Sequence, residues 1–312
     1  MQTDAQRLIA VRDQFALRNL SDDALRLILP AYKEALDRIQ RLLQSLPVES
    51  ASIERELWLR TQLQTIKAQF QPVADRIYQV LPEAQVKAFE EGLRNAQAYL
   101  EADPLIAQSV NQTTLTGATV SGQTVTATGN LPSFNVTGAL DKGFLSPGIT
   151  RQQIIAAAQR NGFAVLGPGG GQRGLADLLP VWMEGEARQI ERHLRSGFLL
   201  GTPTDAIVRE IGPLAAGRRG WAMTEVLVRD AMSEASQVAH DAFYEANEDL
   251  LIPTKSGFNW WWDASNDSRL CSICAPLDGI KFKDRDNPPH PHKAHWGCRC
   301  KILPWTRSME MD

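Results

Sequence analysis

The sequence predicts a mainly α protein: an N-terminal antiparallel helical hairpin or bundle, a Thr-rich β or linker excursion, a helical second half, and a small cysteine-bearing module at the C-terminal end. Three observations predict it. Apolar residues recur at alternating four- and three-residue steps over two long stretches of the N-terminal third, the stretch from Pro104 to Leu140 has no charged residue, and all four cysteines fall within 30 residues. A step of three or four returns a helical side chain to the same face, so such a cadence marks a helix with one buried stripe. The segments follow as 1–103, 104–149, 150–250 and 251–312.

The first seam runs through Leu25, Leu29, Tyr32, Leu36, Ile39, Leu43 and Leu46. Ser21 followed by Asp22 and Asp23 offers a start for it, since a side-chain oxygen accepts from the free amides of the first turn and the acids suit the positive end of the dipole. After a break at Leu46-Pro47-Val48-Glu49-Ser50 the cadence returns in Leu59, Leu63, Ile66, Phe70, Val73, Ile77 and Val80. The two helices are expected to pair antiparallel, as an intramolecular core rather than a coiled coil between chains. Pro72, lacking an amide donor, should kink or split the second helix near Gln71. A further helix is expected from about Pro82 to Glu101, with Val86, Phe89, Leu93, Ala96 and Leu100 on one face.

The charge-free stretch, with its run TLTGATVSGQTVTATGN, is a poor helix. It reads as short strands or a polar linker, and its Thr and Val content favours strands, because residues branched at Cβ suit a pleated surface. Helices resume with TRQQIIAAAQRNG, then Leu175–Leu199, a short one opening at Thr204 or Asp205, and a long one from about Trp221 to Leu250. The glycine run 167–171 lacks the Gly-Lys-Ser/Thr ending of a phosphate loop and reads as a connector. His240 in the long helix reads as a surface or satisfied histidine rather than a ligand.

A formal net charge of -3 lacks the basic balance of a chain that neutralises nucleic-acid phosphates, so any DNA contact must be local. No stretch has the apolar length to span a bilayer, and the N-terminal residues mix charge into every turn, which reads as soluble and unexported.

The chemistry concentrates between Phe258 and Trp305. Cys271-Ser272-Ile273-Cys274 has the spacing of a metal knuckle, where one turn points two thiolates at an ion; Cys298-Arg299-Cys300 adds two sulfurs, and His295 stands three residues before Cys298. Zn2+ takes four such ligands tetrahedrally, so five candidates are present: Cys271, Cys274, His295, Cys298 and Cys300. The set Cys271, Cys274, His295 and Cys298 is preferred, with Cys300 as its substitute or a core residue. A disulfide framework suits a small secreted domain, whereas here the first 270 residues hold no cysteine. A redox pair would need a thioredoxin-like strand–helix setting, which the Pro/Gly-rich flanks do not offer. A shell filled by protein ligands is that of a structural rather than a catalytic zinc. His290 and His292 belong to a proline-stiffened loop, and Trp260, Trp261 and Trp262 are expected to pack against the zinc loop and the long helix rather than to stack on bases. Lys281, Lys283, Arg285, Lys293, Arg299 and Lys301 make the tail locally basic, diluted by Asp278, Asp284 and Asp286.

The ordered combination Trp262-Asp263, Asp267-Ser268-Arg269-Leu270-Cys271-Ser272-Ile273-Cys274, Leu277-Asp278-Gly279, Pro288-Pro289 and His295-Trp296-Gly297-Cys298-Arg299-Cys300, preceded by a helix with Thr224-Glu225, resembles the Mu F-like phage minor head, or head morphogenesis, family. The motifs cover about Trp221 to Trp305. Met223 stands where the family often has arginine, Ser268 separates Asp267 from Arg269, and extra histidines lengthen the approach to His295; these departures bear on the ligand set. The resemblance implies a structural virion component with no enzymatic activity, made in the host cytoplasm and built into the phage head. It also implies portal or major capsid protein as partners, packaged DNA as a further contact through the basic residues, and no membrane. Some relatives are fused to toxin enzymes such as ADP-ribosyltransferases, but no complete nucleophile–base pair or nucleotide loop is present here. The rival expectation is a zinc-dependent nucleic-acid-binding or hydrolytic module acting on DNA.

Overall fold

The computed structural model describes residues 4–44, 52–107, 124–125, 134–139, 145–147, 150–159, 165–166, 172–200, 202, 206–207, 220–248, 251, 257, 259–264, 272–283, 298 and 300–310. The elements are α1 (Asp4–Leu43), α2 (Ser52–Ala68), α3 (Gln71–Glu101), β1 (Thr124–Val125), β2 (Phe134–Ala139), β3 (Leu145–Pro147), α4 (Arg151–Gln159), β4 (Val165–Leu166), β5 (Gln172–Arg173), α5 (Leu175–Leu199), α6 (Gly220–Ala246), β6 (Trp260–Asp263), β7 (Lys281–Phe282) and β8 (Lys301–Pro304). The protein is mainly α, as expected. The chain folds as two compact units: Ser21–Leu81 with Leu175–Val228, and Met1–Leu20 with Pro82–Gly174 and Arg229–Asp312.

In the unit formed by Ser21–Leu81 and Leu175–Val228, the two seams meet antiparallel. The rings of Tyr32 and Phe70 lie 6.0 Å apart, and Arg76 Nε donates to the Leu27 carbonyl at 3.1 Å. Phe70 sits edge-on to Trp182 of α5 at 5.8 Å, and Leu59, Ile66, Val73 and Ile77 are buried around them. α2 also runs antiparallel to α5: Glu56 pairs with Arg195 at 2.6 Å, and eleven residues further along α2 Lys67 pairs with Glu184 at 2.7 Å, eleven residues back along α5. The break near Gln71 falls where Pro72 required it, with Phe70 N closing a turn on Lys67 O at 3.1 Å and Pro72 inside the first turn of α3, where an amide has no helical partner.

Two helix boundaries differ from the sequence reading. α1 opens at Asp4, and Ser21 is a buried residue within it rather than its cap. The seam is invisible before Leu25 because the inward positions Gln6 and Asp13 are polar. α3 also continues through Pro82 to Glu101 as one helix instead of restarting there. Burial of Val80 and Leu81 before the proline and of Val86 and Phe89 after it holds the helix across the one missing hydrogen bond.

In the other unit, α3 meets α6 at close range because both present small residues. Ala231, Ala235, Ala239 and Ala242 of α6 are fully buried, and a Cβ built on Gly92 of α3 would lie 2.7 Å from the Ser236 carbonyl oxygen. One cluster joins Val86 and Phe89 to Ile154 and Ala239, and another joins Ala96, Tyr99, Leu100 and Ile106 to Phe243, Tyr244, Leu303 and Met309. Asp103 caps the turn after α3, accepting from the amides of Leu105 and Ile106 at 3.0 and 3.2 Å, and it also accepts from the hydroxyls of Thr306 and Ser308. α4 carries a capping box, in which Gln153 N donates to Thr150 Oγ1 at 3.3 Å and Thr150 N donates to Gln153 Oε1 at 2.8 Å.

Strands do form in the Thr-rich excursion, as an antiparallel sheet in the order β1-β2-β3. The two-residue strands β4 and β5 pair across the glycine run, which itself lies outside the described residues; nothing in the sequence reading anticipated them. The short helix expected near Thr204 is described only at Ala206–Ile207. No helix among the described residues is long and apolar enough to cross a membrane.

Candidate metal centre

A small antiparallel sheet, ordered β7-β6-β8, frames the centre. Trp260, Trp261, Trp262 and Asp263 of β6 stand opposite Pro304, Leu303, Ile302 and Lys301 of β8. The chain between β6 and β7 is fastened back on the sheet: Gly279 N donates to the Trp262 carbonyl at 2.8 Å, Trp262 N to the Ile280 carbonyl at 2.9 Å, and Ala264 N to Asp278 Oδ1 at 2.9 Å. This is the Leu277-Asp278-Gly279 turn. It needs glycine at its end because Gly279 has φ +76, the left-handed region that side chains disfavour.

The turn delivers Cys274. A short 3₁₀ turn, Ala275–Leu277, starts directly after it, with Leu277 N donating to the Cys274 carbonyl at 3.0 Å. Cys298 and Cys300 arrive from the opposite direction, at the entrance to β8. Successive residues of an extended chain point to opposite faces. Cys300 and Ile302 accordingly enter one cluster with Trp262, Ala264, Cys274, Cys298 and Phe282, whereas Leu303 joins the helical core on the other side.

The three sulfurs gather within 4.8 Å of one another, all buried, with Cys274 and Cys298 at 3.7 Å. A disulfide needs about 2.05 Å between sulfurs, and none of these three cysteines is in one. Zn–S bonds of about 2.3 Å at tetrahedral angles set neighbouring sulfurs about 3.8 Å apart, so the observed separation fits a shared ion. The hydrogen bond with Cys298 and burial push the Cys300 thiol far above its ordinary value. A divalent cation reverses that preference by stabilising thiolates.

Of the five sequence candidates, Cys274, Cys298 and Cys300 come together. Cys271 and His295 lie outside the described residues, as do His290 and His292. Cys300, placed on sequence behind His295, stands inside the sulfur cluster. The tryptophans pack as expected: Trp262 lines the sulfurs, Trp260 lies 6.2 Å from Tyr244 of α6, and Trp261 packs edge-on to Trp305 at 6.3 Å.

The basic tail is thinner than the sequence suggested. Lys301 is buried, its ammonium against the Asp13 carboxylate and 3.3 Å from Ser236 Oγ, so it is not a surface charge. Asn95 Nδ2 donates to Asp13 Oδ1 at 2.7 Å, and His240 Nε2 lies 3.8 Å from Asp13 Oδ2, which accounts for His240 as a buried residue beside a carboxylate. Complete burial pulls Lys301 down to about 7. The signal for Lys301 was its place one residue out of step with Cys298 and Cys300; nothing in the sequence marked Asp13 as its partner. Lys281 stacks over the Trp305 ring at 3.6 Å, Lys283 is exposed, and Arg285, Lys293 and Arg299 lie outside the described residues.

Residues 188–303 match the family model described as Phage Mu protein F like protein. That span contains all five candidate ligands, and the match agrees with the resemblance drawn from the motif order. No curated protein and no solved structure matches the chain.

Proposed function

We propose that the chain is a structural protein of a tailed-phage head, carried in the virion, whose C-terminal module is held by one zinc ion and which performs no catalysis. It works beside the portal or major capsid protein at the head interior, in assembly and in DNA packaging or ejection. The observation that carries this reading is the family match at 188–303 falling on three buried, unoxidised sulfurs at metal-sharing distances. Cys274, Cys298 and Cys300 would supply three ligands and Cys271 or His295 the fourth, which closes the shell to substrate and makes the ion a staple. Metal capture would supply folding free energy to the turn that carries Cys274 and to the chain that carries Cys298 and Cys300.

Metal analysis of the purified chain should return one zinc per chain. Cys274→Ser and Cys298→Ser should each abolish it and remove the near-ultraviolet circular dichroism of the buried Trp262, and quantitative mass spectrometry should find the chain in purified heads. DNA hydrolysis by the wild-type chain that the same cysteine substitutions abolish would overturn the reading in favour of a metal-dependent nuclease.

A further inference from the structure

The first four turns of α1 bury a mixed face and expose an apolar one. On the buried side stand Gln6, Asp13 and Leu17, with Ile9 partly buried against the helical core, Asp13 held by Lys301 and Asn95, and Gln6 Nε2 donating to the Tyr99 carbonyl at 3.4 Å. On the solvent side Leu8, Val11 and Phe15, at helical spacing i, i+3 and i+7, are 69%, 50% and 61% exposed. A surface helix normally buries its apolar stripe. Here the inward face is fastened by a charge pair and hydrogen bonds as well as by Ile9 and Leu17, which fixes the orientation and leaves an apolar ridge outside. Exposed arginines border that ridge, Arg18 along one edge and Arg12 along the other.

We infer that this ridge is a docking surface for a groove on another head protein, apolar along its floor and edged with carboxylates. Leu8, Val11 and Phe15 enter the floor as helix-in-groove anchors, and the arginines meet the acidic rim. A second copy of this chain would set arginine rim against arginine rim, which opposes self-pairing. The inference rests on the head-protein reading for the identity of the assembly.

Heads are produced in cells lacking the native gene and supplied with the full chain, as wild type, Leu8→Ser/Phe15→Ser, or Arg12→Glu/Arg18→Glu; the chain is then quantified against the major capsid protein. Wild type should be retained and each double variant should fall at least tenfold, with zinc content and helical circular dichroism unchanged. A photo-crosslinking benzoylphenylalanine in place of Phe15 should capture a head protein on a peptide containing Asp or Glu. If the serine pair fails to fold, the arginine pair and the crosslink decide. Variants incorporated at the wild-type level, or a crosslink to a second copy of this chain, to lipid or to DNA, overturn the docking alone; absence of the wild-type chain from heads overturns the head reading and the docking with it.

Discussion

Lys301 and Asp13 are each tolerated in a buried site because the other is present. Lys301→Met leaves the Asp13 carboxylate unpaired and should cost about 3–5 kcal/mol, whereas Asp13→Leu together with Lys301→Met should recover most of that. Urea unfolding of the four members of the cycle checks it, and additive losses would deny the coupling. Glu186 behaves differently. Burial raises its carboxyl to about 8, although the Tyr32 hydroxyl donates to it at 3.0 Å. The folded value then lies above the unfolded one, so the stability it contributes is complete below the ordinary carboxylate range and is lost as pH rises through about 8. The unfolding midpoint of the wild type should therefore decline relative to Glu186→Gln between pH 5 and pH 8; parallel curves would refute the assignment. At this scale the sulfurs were legible because cysteine spacing points to metal. Asp13 and Glu186 were not, because a charged residue in sequence carries no mark of burial, and Lys301 was marked only by its place out of step with Cys298 and Cys300.

Gly92 sets how closely α3 and α6 approach. An added Cβ would strike the Ser236 carbonyl at 2.7 Å and Ala239 Cβ at 2.9 Å, and a backbone atom yields only if the helix moves. Gly92→Ala should cost about 1–3 kcal/mol in denaturant unfolding. Gly185→Ala, whose Cβ would meet only Met223 Cε at 3.6 Å, should be neutral or gain up to about 1 kcal/mol from better helix propensity. Equal effects at the two positions would remove the packing argument. Elements with a strong apolar period were readable to the residue, as α5 was at Leu175–Leu199. The opening of α1 was not, because the polar inward positions Gln6 and Asp13 interrupt the seam that begins at Leu25, and the two-residue strands β4 and β5 are too short to show a period. Pro82 was read as a boundary because local rules treat proline as a stop, whereas packing on both sides carries α3 through it.

Across the whole molecule, the metal reading predicts an uneven response to chelation. Hydrogen exchange should accelerate at Trp262 and Gly279, whose amides tie the cysteine turn to β6, while the amides of α5 keep their protection. A uniform rise, or none, would speak against an ion that acts locally. The two-unit division also shows a limit of reading along the chain, since each unit draws on stretches far apart in sequence and α1, α3 and α6 contribute to both. The last strand carries a further consequence. Cys300 at its entrance and Ile302 face the sulfur cluster, and Lys301 and Leu303 face the helical core. One residue inserted after Cys300 leaves every side chain in place chemically but reverses the parity, so the strand can satisfy either the thiolates or Asp13 and never both. Two inserted residues restore it. Length changes in this strand should therefore be read by oddness, not by size.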